Sequence, residues 1–242
     1  ADILPALAAF TPAGPPDEDQ HLLRRVDIKF ELARARLPAL LATLATSHGL
    51  LPAAGRLSAS YATIYFDTAE RRFLIDHLRG RRPRHKLRVR HYIDRRLSFL
   101  EIKTRTVGNR TEKLRRSRPW AGNGLTSDEQ HWAATHTGQP GLLAACGWTS
   151  CQRVTLLSRG SIGRVTIDLN VALGTRAAAR SLCDTALIEV KLARASGDPG
   201  VLRVLRAAGA RELKLSKYVA AMMVDEPQLP RARFAAVLDR YA

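Results

Sequence analysis

The sequence predicts an α+β protein whose antiparallel β-sheet closes into a barrel with helices packed outside. Three observations predict it. Runs with apolar residues at every second position and charges between them recur along the chain. Successive strand side chains point to opposite faces, so each run has one apolar and one charged face. Those charged faces are mostly cationic, and the whole chain carries Lys+Arg 39 against Asp+Glu 22, a net +17. Segments rich in Ala and Leu lie between the runs and suit helices that cover the apolar face. Antiparallel sheets often leave one face wet, but rarely one so heavily cationic. Like charges 4 Å apart repel by about 4 kcal/mol at an effective dielectric near 20. The charged face is therefore expected to line a closed lumen that holds an anion.

Residues 1–20 contain Pro5, Pro12, Pro15 and Pro16 ahead of Asp17-Glu18-Asp19 and are expected to form an irregular arm. Residues 21–242 are expected to form one barrel domain with C-terminal helices. Arg25-Val26-Asp27-Ile28-Lys29-Phe30 alternates cleanly, and Ala33 to Thr46 suits a helix lying on the sheet. Leu57 to Asp67 has β character, with a short strand expected at Phe73-Leu74-Ile75-Asp76. Lys86 to Tyr92 and Phe99 to Arg105 form a hairpin turning at Asp94-Arg95-Arg96. One face carries Lys86, Arg88, Arg90 and Tyr92 with Glu101, Lys103 and Arg105; Leu87, Val89, Leu100 and Ile102 lie opposite. Asn109 to Arg116 adds a third charged strand through Lys113 and Arg115.

Ser127 or Asp128 caps a helix with Glu129 in its first turn, and Leu142 to Cys146 suits a short helix. Strands follow at Gln152–Leu157, Gly163–Leu169 and Ala186–Leu192, which place Arg153, Asp168, Glu189 and Lys191 on charged faces. Helices are expected at Pro199 to Ala208 and at Arg231 to Tyr241, and the run from Glu212 to Tyr218 is expected to lead into a helix through Val224.

The cationic excess calls for an anionic partner: nucleic acid, a membrane surface or phosphate compounds. Aromatics are 6% of residues, and no basic strand is aromatic-rich in the way that stacks bases, so sequence-specific nucleic-acid recognition is not expected. Cys146, Cys151 and Cys183 fit no common zinc spacing and no disulfide framework, which points to a reducing, cytoplasmic setting. No apolar run has the length of a membrane span, and Ala1-Asp2-Ile3-Leu4 lacks the pattern of a signal peptide. A membrane-protein partner is still compatible with this composition.

The order Arg25-Val26-Asp27-Ile28-Lys29, Tyr65-Phe66-Asp67-Thr68, Lys86-x-Arg88-x-Arg90-x-Tyr92, Phe99-Leu100-Glu101-Ile102-Lys103, Leu187-Ile188-Glu189-Val190-Lys191 and Lys214-Leu215-Ser216-Lys217-Tyr218 resembles the polyphosphate polymerase domain of vacuolar transporter chaperone (VTC) proteins. These motifs cover about residues 22 to 225. That family belongs to the triphosphate tunnel metalloenzymes, whose barrel of about eight antiparallel strands forms a tunnel. The resemblance implies transfer of the γ-phosphate of ATP to inorganic polyphosphate with Mn2+, or Mg2+, as cofactor. It assigns catalytic phosphate contacts to Lys29, Arg88, Arg90, Lys103, Lys113 and Arg153, and further phosphate binding to Lys214 and Lys217; Arg25, Lys86 and Lys191, on the charged strand faces, are expected to bind phosphate as well. It makes Glu189 the metal ligand.

Where the hydrolytic members of that superfamily begin with Glu-x-Glu-x-Lys, this chain has Arg25-x-Asp27-x-Lys29, which disfavours a two-metal hydrolase. Glu101, Asp168 and Asp27 are supporting carboxylates, with structural ion pairing favoured over ligation for Asp27. Phosphoryl transfer needs positioning and charge stabilisation more than covalent chemistry. Three readings stay open: a polymerase, a tripolyphosphate or nucleoside triphosphate hydrolase, and a non-catalytic polyphosphate-binding module.

Overall fold

In a computed structural model that describes residues 3–14, 25–108, 110–160, 163–193, 199–214 and 216–224, alternating runs become strands with buried apolar faces. The strands are β1 (Arg25–Ala33), β2 (His48–Leu50), β3 (Ala59–Asp67), β4 (Arg84–Tyr92), β5 (Leu97–Arg105), β6 (Thr111–Arg118), β7 (Ala144–Ser158), β8 (Gly163–Gly174), β9 (Ala179–Leu182), β10 (Thr185–Ala193) and β11 (Arg211–Glu212). The helices are α1 (Leu4–Ala8), α2 (Leu37–Leu44), α3 (Arg72–Leu78), α4 (Ser127–Thr137), α5 (Pro199–Ala207) and α6 (Lys217–Met222). The helix expected at Arg231 to Tyr241 lies outside the described residues.

The sheet does not close into the expected barrel. Its hydrogen-bonded order is β11-β1-β10-β8-β7-β3-β4-β5-β6, with β2 on β7 and β9 on β8, and its ends do not pair with each other. Closure needs a matched strand tilt and stagger, and side-chain alternation specifies neither. The end strands are protected differently. β11 is only 2 residues long, and β6 exposes Glu112, Lys113 and Arg115. On β1, β8 and β10 the repulsion that argued for a closed lumen is met by Asp27, Asp168 and Glu189 set into the charged face.

Two compact units divide the chain: residues 1–60, 151–171 and 181–214, and residues 61–150, 172–180 and 215–242. In the first, β1 pairs with β10 and β10 with β8, all antiparallel. Phe30 and Leu32 of β1, Val165 and Ile167 of β8 and Ile188 and Val190 of β10 form the buried face. Leu37, Leu40, Leu41 and Leu44 of α2 supply the stripe that covers it, at the spacing of one helical face. The stretch expected to be irregular contains α1, and Ile3, Leu7 and Phe10 join this core.

In the second unit, β3, β4, β5 and β6 form an antiparallel meander. Leu87, Val89, Leu100 and Ile102 are at most 1% exposed and share a core with Ala133 of α4. Truncating such a side chain to Ala costs about 2–5 kcal/mol. Thr126 caps α4 one residue earlier than expected, in a capping box with Glu129. The segment expected as a strand at Phe73–Asp76 lies in α3. The reason is distant: the Asp67 carboxylate accepts hydrogen bonds from the Phe73 and Leu74 amides, satisfying donors that open the helix. Leu142–Cys146, expected as a helix, instead leads into β7.

Candidate anion-binding site

The hairpin expected from the sequence forms, with Lys86 opposite Lys103 and Arg88 opposite Glu101, and β6 extends it. Across β4, β5 and β6, Lys86, Lys103 and Lys113 stand in one row, and Arg88, Glu101 and Arg115 in the next. Opposed residues on adjacent strands share a face and lie close together, so these rows concentrate cations around a single carboxylate. Glu101 is 1% exposed. Its Oε2 accepts from Arg88 Nε at 2.7 Å and lies 2.6 Å from the second Arg88 nitrogen. Its Oε1 lies 2.5 Å from Lys113 Nζ and 4.0 Å from Arg115 Nε. Burial pushes the Glu101 carboxyl up, but Arg88, Arg90 and Lys113 outweigh it and hold the group at about 2. Arg88 is correspondingly raised: burial alone would lower it, and Glu101 reverses that.

This arrangement sets Arg88 rigidly and leaves Lys103, Lys113 and Arg115 exposed beside it. Arg90 donates from Nε to Thr63 Oγ1 at 3.3 Å. Lys86 Nζ donates to Ser216 Oγ at 2.9 Å, and Ser216 caps α6. Tyr218 of α6 packs on Tyr65, with ring centroids 5.1 Å apart, and donates its hydroxyl to Asp67 at 2.6 Å. By register, Tyr65 and Lys86 belong to the charged face, so α6 packs on that side and not, as expected, only on the apolar one. Burial raises the Asp67 carboxyl despite its four donors. Asp67 thus ties α6 to the start of α3, and two of the sequence motifs meet in a hydrogen bond that neither reveals separately. Lys217, in the first turn of α6, is half-buried.

The first unit places Lys29, Arg153, Glu189 and Lys191 differently. Lys29 stands opposite Glu189, and Asp27 opposite Lys191; Arg164 stands on the other side of Lys191. Lys191 Nζ lies 2.5 Å from Glu189 Oε1. Arg153 grips both oxygens of Asp168, at 2.5 and 2.8 Å, the two-pronged geometry that guanidinium favours. Asp168 lifts the Arg153 pKa well above its ordinary value against the effect of burial. Burial pushes Glu189 up, and Lys191, Lys29 and Arg153 bring it to about 2. Lys214 is exposed beside Leu213, whose amide donates to the Lys29 carbonyl at 2.8 Å. The Arg25 side chain lies outside the described residues.

A divalent metal at Glu189 would draw its remaining ligands from water and substrate phosphates. Among the described residues, no three His, Cys, Asp or Glu side chains gather to hold one.

The rows built around Glu101 give this face of the antiparallel sheet a strong excess of positive charge. Residues 24–119 match the family model of the VTC domain, so over that stretch the chain is similar to this family, as the motifs indicated. No curated protein matches the chain. Among solved structures, a candidate adenylate cyclase from Bacillus halodurans is 11% identical, covering 80% of this chain and 94% of its own, at a TM-score of 0.52. That likeness concerns the fold. A candidate adenylyl cyclase from Hippeastrum with a dominant triphosphatase activity is 14% identical over 81% of this chain and 94% of its own, at 0.48. A conserved Pyrococcus furiosus protein is 12% identical over 81% and 99%, at 0.46. Among the described residues, no helix is long and apolar enough to cross a membrane.

Proposed function

We propose that the chain is an enzyme of inorganic polyphosphate, transferring the γ-phosphate of ATP to the end of a growing phosphate chain. The observation that carries this reading is the β4–β6 face, where Lys86, Arg88, Arg90, Lys103, Lys113 and Arg115 surround one buried carboxylate. Arg supplies planar paired contacts to phosphate oxygens, and Lys a point charge. Glu101 holds Arg88 and Lys113 in place before substrate arrives, so their charge meets the transferring group without rearrangement. The acceptor, a terminal phosphate oxygen, is already anionic, so no side-chain nucleophile is needed. Lys217, in the first turn of α6, is assigned a supporting contact to the phosphate chain. The VTC match over residues 24–119 supports the polyphosphate reading.

The test is incubation with ATP and manganese or magnesium salt, followed by a gel for long phosphate chains. Long chains from the wild type, and none from Arg88→Ala or Arg90→Ala of unchanged fold, are expected. Phosphate release without chain growth would make the protein a triphosphate hydrolase, and tight tripolyphosphate binding without turnover a binding module.

A further inference from the structure

The charged face of the second unit carries, beyond its cations, a lane of aromatic rings that no single strand contains. Tyr61 of β3 stands opposite Tyr92 of β4, with ring centroids 5.0 Å apart at 66°. Tyr92 meets Phe99 of β5 at 5.6 Å and 83°. Two guanidinium groups lie over these rings. Arg115 is 3.3 Å from the Phe99 centroid and 5.5 Å from that of Tyr92, and Arg90 is 5.6 Å from that of Tyr61. The core aromatics Phe66 and Phe73 are 1% exposed, whereas Tyr61, Tyr92 and Phe99 are each only half-buried. They form an accessible platform, not part of the sealed interior.

We propose that this lane seats the base of the nucleoside triphosphate, a subsite that rests on the reading of ATP as phosphoryl donor. Lys86, Arg88, Arg90 and Tyr92 follow one another along a face of β4, in two-residue steps of roughly 6.6 Å. A triphosphate gripped by Arg88 and Arg90 therefore has Tyr92 one step beyond one end and the Lys86–Lys103–Lys113 row one step beyond the other. The base end goes to the rings and the terminal phosphate to the lysines. Aromatic rings and guanidinium planes both stack on nucleobases, and such stacking tolerates any base because each has a π-face. The lane accordingly selects nucleotide over bare phosphate and does not choose among bases.

Isothermal titration of four ligands tests this: ATP, UTP, ribose 5-triphosphate and inorganic tripolyphosphate. In the wild type, ATP and UTP should bind about tenfold more tightly than ribose 5-triphosphate. In Tyr61→Leu/Tyr92→Leu that advantage should vanish, while tripolyphosphate affinity stays within about twofold. The wild-type comparison stands even if the variant misfolds. Ribose 5-triphosphate binding as tightly as ATP overturns the base subsite and leaves the phosphate reading intact. Equal losses for ATP and tripolyphosphate in a folded variant also overturn it, since the rings would then serve the sheet. Failure of the wild type to bind any of the four overturns the phosphate reading itself, and the subsite with it.

Discussion

In the first unit the charged strand face is close to neutral, because Asp27, Asp168 and Glu189 stand among Lys29, Arg153, Arg164 and Lys191. On β4, β5 and β6 of the second, Glu101 is the one carboxylate on a face holding Lys86, Arg88, Arg90, Lys103, Lys113 and Arg115. Both faces come from the same alternation of charged and apolar residues. They differ in how the charges are distributed, and that decides what each face can do. A balanced face holds itself together, whereas a face in strong excess gains most from an added anion.

The largest expected effect comes from the centre of the excess face. Glu101→Ala leaves Arg88 buried beside Arg90 and Lys113 without its counter-charge. Breaking a buried pair this way costs about 3–5 kcal/mol, read as a lower melting temperature. Tripolyphosphate should restore much of that loss, by roughly 2.7 kcal/mol at ligand near 100 times its dissociation constant. No rescue would mean that Glu101 is purely structural.

Opposite responses to lysine removal should separate the faces next. Lys103→Ala removes an exposed cation from a crowded row, so stability should hold or rise while tripolyphosphate affinity falls, by about three- to tenfold. Lys191→Ala removes the partner 2.5 Å from Glu189, so stability should fall by about 1–3 kcal/mol. The reverse pattern in denaturant titrations would break the comparison.

Acid should act on the second unit first. Burial, aided by Lys86, lowers His77 from its ordinary 6.5 to about 2, and burial also lowers His85 and His91. A depressed pKa contributes stability that is present above the ordinary value and lost as pH falls toward the folded one. Losses from these histidines therefore begin below about 6.5, whereas those from Glu101 and Glu189, both lowered from 4.5 to about 2, begin below about 4.5. Asp67, raised by burial, works in the opposite sense and blunts the fall. Trp120, Trp132 and Trp148 all belong to the second unit, so tryptophan fluorescence reports on it. Its melting temperature should drop between pH 6.5 and 4.5, and His77→Gln should flatten the slope.

Tyr218→Phe should have the smallest effect on anion binding. It removes the hydroxyl that donates to Asp67 at 2.6 Å, at a cost of about 1–3 kcal/mol. Because α6 carries Ser216, the acceptor of Lys86, Tyr218→Phe should also weaken tripolyphosphate binding slightly. Unchanged binding with lowered stability would limit the Asp67–Tyr218 link to folding.

The hairpin and the identity of its cationic face were legible in the sequence because alternation is local and strong. Closure was not, because it depends on tilt and stagger between strands. The balance of each face was also hidden. Arg153 and Asp168 lie 15 residues apart, and only their pairing across β7 and β8 shows that they neutralise each other. The aromatic lane escaped for a similar reason, since Tyr61, Tyr92 and Phe99 come from three strands and none of these is aromatic-rich in itself. The strand expected in place of α3 failed because the carboxylate that accepts from its early amides, Asp67, sits on another element.

Hydrogen exchange with and without tripolyphosphate tests most directly whether the excess-charge face is the anion site. The account predicts that the ligand slows exchange chiefly in peptides spanning β4, β5 and β6, with smaller changes in β8 and β10. Equal protection of both units, or protection centred on β8 and β10, would contradict it.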